Sequence, residues 1–307
     1  MSAEEIKSIV EGKNSIGEVF TNVESIRAPE EKGEILEKNI QRTLENYERA
    51  GVKKWELSMG CGKVLFSNLL PLHFEFDTLK DKKVKSQEDE EKIKSIQNKI
   101  GTVTYAVEKY YKKKIGNDWE QVFSGFAAEV ACAMALKQGG FEVFIPDKDD
   151  DTKGKIDLLV FDKENTLFSI QVKSSSLLKN IVIEDLSRTS VDNVMGKVER
   201  VWDDRLESGD SAIIDSSATK LKEFVNTSYE SCQILLEYLS PVVNKKNVIN
   251  VIPIYVAIPG GGSERAMYNY RTGYVRREGQ SSTSLLSDKL CDKLFSILDN
   301  HEGGNDV

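Results

Sequence analysis

The chain has 307 residues, 39% of them hydrophobic and 30% charged, with a formal net charge of -8. This is enough apolar material for one large domain or two smaller ones. The acidic balance argues against a protein that coats nucleic acid non-specifically, a mode that depends on neutralising many phosphates with Lys and Arg.

Residue usage narrows the chemistry further. Only His73 and His301 occur, the second in a polar tail, so histidine triads and multi-histidine metal sites lack material. Cys61, Cys132, Cys232 and Cys291 are scattered without the close pairs of a structural zinc site and read as reduced, structural residues. Carboxylates and lysines must therefore carry any reaction. The start, MSAEEIKSIVEGKNS, lacks the basic-then-apolar order of a secretory signal, and no apolar run approaches the ~18 residues that span a bilayer. A cytoplasmic protein without membrane contact is expected.

Residues 29–50 have proline near the start, glutamates in the first turn and Gly51 just past the end, which predicts a solvated helix. Residues 79–100 interleave lysines with acids and predict an exposed helix or connector with little net field. The stretch KYYKKK that follows sets lysines, Lys112 and Lys113 among them, around two tyrosines. It reads either as a phosphate-contacting patch or as a solvated helix end. Residues 1–115 together form a mainly helical N-terminal region.

A core region is expected over residues 116–260. Asn117 followed by Glu120 has the form of a capping box, and Val122, Phe123, Phe126, Val130, Ala133 and Met134 repeat at helical spacing up to Gly139 and Gly140. This predicts a buried helix. FEVFIP, IDLLVF and LFSIQVK then read as three strands, and VINVIPIYVAI as a later strand buried on both faces, with an edge or bulge at Pro253. Between them, residues 177–247 read as a helical insertion. Residues 261–307 form a C-terminal segment with a final helix.

If the turn DKENT closes a hairpin with Phe161 opposite Leu167, Asp157 falls opposite Gln171. Directly opposed side chains lie ~4.5–5.5 Å apart at Cβ, and alternation puts Lys173 on the face of Gln171. A carboxylate, an amide oxygen and the Val172 carbonyl are oxygen ligands of the kind Mg²⁺ prefers, and Mn²⁺ can substitute. Lys173 is then placed to position an attacking water or to stabilise charge on a phosphate. Glu129 has Gly125, Phe126, Cys132 and Ala133 as its helical neighbours, which turns it toward the core. A glutamate there either binds a metal or pairs within the sheet.

The stretches SGFAAEVACAMALKQGGFEVF, GKIDLLVF and SIQVKSSS resemble the PD-(D/E)xK nuclease superfamily, especially Mrr-type restriction nucleases and archaeal Holliday-junction resolvases. The resemblance covers at most about half the chain. It implies an α/β fold with a mixed sheet, built on a restriction-endonuclease-like αβββαβ core. It also implies a Mg²⁺-dependent DNA endonuclease whose site falls on Glu129, Asp157, Gln171 and Lys173. Gln171 stands where many members carry Asp or Glu, and its neutral amide implies one metal ion rather than two. Pro146-Asp147 and the run Asp149, Asp150, Asp151 are read as strand end and solvated loop.

Ser174 and Ser175 are candidate donors to a phosphate backbone or a polar strand exit. Arg265, Arg271, Arg276 and Arg277 are interleaved with tyrosines, a mixture suited to phosphates and unstacked bases or to an aromatic surface hairpin. Gly260 to Gly262 lack the GK[ST] ending of a phosphate-binding loop, so no nucleotide cofactor is expected. The mass beyond the core favours restriction-type cleavage of duplex DNA, and cutting two strands favours a homodimer. A junction-specific or modified-DNA nuclease and a non-catalytic binding module are the alternatives.

Overall fold

A computed structural model of the chain describes residues 20–50, 53–80, 82–146, 157–161, 167–175, 181–186, 188–190, 192–194, 196–197, 251–259, 268–269, 274–275 and 288–299. Three helices, α1 (Gly33–Arg49), α2 (Lys54–Lys80) and α3 (Gln87–Lys114), precede α4 (Trp119–Gln138). Helix α1 is not simply solvated, as expected for residues 29–50, because Leu36, Ile40 and Leu44 form a buried stripe at helical spacing. The lysine and acid run divides between the end of α2, a short link and the start of α3, where Ile96 and Ile100 are buried. Ser86 and Asp89 cap α3 reciprocally, Ser86 Oγ accepting the Asp89 N–H at 3.1 Å and Asp89 accepting the Ser86 N–H at 3.0 Å.

Helix α4 lacks the capping box anticipated at Asn117. Its cap is Asp118, which makes no side-chain bond to the helix and instead accepts the Tyr111 hydroxyl at 3.0 Å. The other end matches expectation. Gly140 adopts φ 83, Phe141 N–H reaches Leu136 O and Gly140 N–H reaches Lys137 O, the paired bonds of a Schellman motif. The chain therefore turns straight from α4 into the sheet.

That sheet has six strands, β1 (Phe20–Asn22), β2 (Glu142–Pro146), β3 (Leu158–Phe161), β4 (Leu167–Ser175), β5 (Val182–Asp185) and β6 (Val251–Pro259), in the order β1-β2-β3-β4-β6-β5. All neighbours are antiparallel except β4 and β6. Strand β1 is a short exception in the region read as mainly helical, and β5 lies at the start of the segment assigned to a helical insertion, of which residues 198–247 lie outside the described residues; both strands are short and owe their form to pairing partners distant in sequence. Pro253 sits one residue before the β5 pairing, which begins at Ile254, so it occupies a local edge of β6 as anticipated. A small pair, β7 (Tyr268–Asn269) and β8 (Tyr274–Val275), and helix α5 (Asp288–Asp299) complete the described elements. Phe295 of α5 lies so close to Gly139 that a Cβ there would stand 2.3 Å from its ring.

Helix α4 covers the face bearing Val143, Leu158, Val160, Phe168, Ile170 and Val172, and these join α1 to α4 in one continuous core. By alternation Ser169, Gln171, Lys173 and Tyr255 occupy the opposite face. Among the described residues no helix is long and apolar enough to cross a membrane. Cys61 and Cys132 are buried, and desolvation pushes the Cys61 thiol up to about 12, which makes it inert as expected.

His73, within α2, is fully buried, and desolvation pulls its pKa from 6.5 down to about 3. The unfolded chain takes up a proton below pH 6.5 that the folded chain refuses. This stability is complete above that pH and falls as the pH drops toward 3, by about 2 kcal/mol at pH 5. Urea unfolding at pH 7.5 and pH 5 should show this loss in the wild type and a flatter profile in His73→Leu. An unchanged pH dependence in the variant would contradict it.

Candidate active site

Asp157 directly precedes β3, and its N–H donates to the Ile170 carbonyl at 3.0 Å. The hairpin ladder runs Leu158 to Ile170 through Phe161 to Leu167, the register anticipated from the turn. Strand β4 continues beyond the start of β3, so the Val172 N–H faces an edge where β3 offers no ladder partner. The Asp157 carboxylate takes it: Oδ2 accepts Val172 N–H at 2.6 Å and Gln171 Nε2 at 2.5 Å. Hydrogen bonds to an ionised acceptor are roughly twice as strong as neutral ones. Within a strand the N–H and carbonyl of one residue point to the same edge, so the Val172 carbonyl faces this gap as well.

Gln171 is 3% exposed, and with its amide nitrogen committed to Asp157 its Oε1 is buried without a hydrogen-bond partner. An unsatisfied buried acceptor costs about 1–3 kcal/mol, a deficit that a cation or a donor would remove. In parallel register beside it stands Tyr255, fully buried, its hydroxyl also without a partner. Desolvation pushes that hydroxyl's pKa up, so it stays protonated as a potential donor. The sequence reading passed over Tyr255, and the available signal was a hydroxyl inside the otherwise apolar run VIPIYVAI.

The anticipated residues do not all share one face. Lys173 is half-buried on the face of Gln171, whereas Glu129, on α4, approaches from the other side of the sheet. Glu129 is half-buried rather than sealed in the core. Asp157 joins the two halves: it holds the Gln171 amide and, with Glu129, lines a cavity of about 550 Å³ between the N-terminal helices and the sheet. Ser174 faces α4, its hydroxyl 2.8 Å from that of Ser124, and so ties helix to strand. Ser175 pairs with Pro259 in the backbone register.

The end of α3 is committed to packing. Tyr110 and Tyr111 are buried, with Tyr110 donating to Leu44 O at 3.2 Å, so neither ring is open to bases. Lys109, Lys112 and Lys114 pair with Glu37, Glu108 and Glu48 at 3.0, 2.5 and 2.7 Å, while Lys113 is exposed. Arg265, Arg271, Arg276 and Arg277 lie outside the described residues.

Among the described residues no group of three or more His, Cys, Asp or Glu side chains is arranged to hold a metal ion. The oxygen donors around Asp157 still fit a hard cation. They comprise the Asp157 carboxylate, the partnerless Gln171 Oε1 and the Val172 carbonyl, with Glu129 on the other side of the sheet, a set that leaves coordination positions for water. Comparison with family models, curated proteins and solved structures gives no match to the chain.

Replacing Gln171 with Glu tests the cation preference independently of activity. A second carboxylate beside Asp157 should lower stability in EDTA at neutral pH by about 1–2 kcal/mol. Saturating Mg²⁺ should then add about 2–3 kcal/mol relative to EDTA. Thermal melts with and without Mg²⁺ read both effects, and a Gln171→Glu protein indifferent to the ion would contradict the cation site.

Proposed function

We propose that the protein is a metal-dependent DNA endonuclease of the PD-(D/E)xK type, cytoplasmic, hydrolysing phosphodiester bonds by restriction-type cleavage of duplex DNA. The chief support is the Asp157 carboxylate beside the orphaned Gln171 Oε1, two residues from Lys173, on a hairpin that follows a glutamate-bearing helix. The order α4, β2, β3, β4 and a later β6 in one mixed sheet supports this reading, while a second core helix before β6 is not among the described elements. Asp157, Glu129, Gln171 and the Val172 carbonyl would hold the ion. Mg²⁺, or Mn²⁺ in its place, when bound polarises a phosphoryl oxygen and acidifies a coordinated water.

The chain's own groups have separable tasks. The Val172 N–H fixes the Asp157 carboxylate in place. Lys173 brings a compact positive charge to the phosphate as negative charge builds there. Arg265, Arg271, Arg276 and Arg277 supply phosphate contacts, with Lys113 as an exposed cation on α3. A homodimer brings two such sites to the two strands.

A second reading, a non-catalytic DNA- or protein-binding module, is favoured by one observation: Asp157 already accepts two hydrogen bonds from Val172 and Gln171. Cleavage assays with Mg²⁺ on plain duplex, methylated duplex and a four-way junction separate the readings. Defined duplex fragments are expected, with Asp157→Asn and Lys173→Ala each reducing the rate by about 100-fold or more. Activity that survives both substitutions sinks the site. Cutting confined to junctions or methylated DNA selects the structure-specific or modified-DNA alternative. Binding without cutting selects the module.

A further inference from the structure

We propose that the cavity beside Asp157 and Glu129 is a pocket for a nucleobase carrying an exocyclic amino group, unstacked from the DNA being cut. The assignment of its source to DNA rests on the nuclease reading; the pocket's chemistry does not. At about 550 Å³ the cavity falls within the range of small-molecule sites, about 300–1,000 Å³. Asp157 and Glu129 line it, so a base held there keeps its own phosphate close to the reacting groups.

Its walls are shaped by two glycines in the interior of α2. Glycine within a helix costs about 1 kcal/mol relative to alanine, so two on either side of Cys61 call for a packing reason. At Gly62 an added Cβ would stand 2.0 Å from the Phe126 ring, and at Gly60 it would stand 3.4 Å from the Tyr47 ring. Gly62 therefore makes room for the Phe126 ring from α4, Gly60 sits in ordinary contact with the Tyr47 ring from α1, and both rings line the cavity. Stacking on aromatic rings contributes about 1–3 kcal/mol per base and tolerates any sequence.

The polar lining is biased toward acceptors. Asn68 spends its amide nitrogen on Val64 O at 2.7 Å, and Asn39 spends its own on Glu31 at 3.1 Å. Each amide keeps its carbonyl oxygen as an acceptor for a ligand. With the carboxylate of Glu31 also in the lining, these acceptors match the amino group of adenine or cytosine better than the keto edge of thymine. Lys63, in the same wall, supplies positive charge suited to the nucleotide's phosphate.

Two titrations on the full chain test the pocket and its source. In the first, duplex DNA containing 2-aminopurine is titrated with protein in Ca²⁺, and fluorescence should rise as the base leaves the stack. In the second, dAMP, dCMP and dTMP are titrated by calorimetry, and the amino-bearing nucleotides should bind about tenfold more tightly than dTMP. Gly62→Ala, which displaces the Phe126 ring, should weaken both responses. Asn68→Leu, which removes an acceptor without filling the cavity, should do the same by about tenfold while the melting temperature stays close to wild type. Mononucleotide binding that depends on Asn68, with no 2-aminopurine response, supports the pocket and assigns it to free nucleotides. Absence of both responses overturns it. If DNA is still cleaved in that case the nuclease reading stands alone, and if it is not, both fall.

Discussion

Strand β4 outruns its hairpin partner: β3 begins at Leu158, opposite Ile170, yet β4 goes on to Ser175. The amide of Val172 must find an acceptor at that edge, because an unpaired buried N–H costs about as much as a lost hydrogen bond. The Asp157 carboxylate meets this need, and in doing so it is fixed in place and brought onto the Gln171 amide. The price appears at Gln171 Oε1, which is left buried without a partner. A backbone requirement thus concentrates negative charge and an unfilled acceptor in one place, which is the condition a hard cation relieves.

The helical layer determines what else reaches that place. The Schellman ending of α4 turns the chain directly into β2, and the Ser124 and Ser174 hydroxyls tie the helix to β4. Glu129 consequently stands over the face of the sheet opposite Gln171 and Lys173, and Asp157, at the strand edge, borders both sides. A phosphate approaching this edge would meet carboxylates from one side and the lysine from the other. The cavity between α1, α2 and α4 opens the glutamate's side to a ligand.

Much of this was legible because it rests on short-range rules. The turn between Phe161 and Leu167 set the hairpin register, and alternation along β4 put Gln171 and Lys173 together. The helical repeat with its closing glycines located α4. The misses share a different origin. Strands β1 and β5 exist only through pairing with β2 and β6, which lie far away in the chain. Asn117 and Glu120 matched a capping box, yet Asp118 became the cap while accepting a hydroxyl from α3. Tyr110 and Tyr111 resembled a basic, aromatic patch, but α1 and α4 draw them into the core. Which face of β4 the helix covers, and so which side Glu129 takes, is a tertiary fact that period-two alternation cannot contain.

The central claim, that Asp157 and Gln171 form a cation site, is tested most directly by following two nitrogens: the Val172 amide and the Gln171 side-chain amide. With selective ¹⁵N labelling, Mg²⁺ titration should shift both signals saturably in the wild type and move neither in Asp157→Asn. Signals that stay fixed through millimolar Mg²⁺ and Mn²⁺ in the wild type would contradict it.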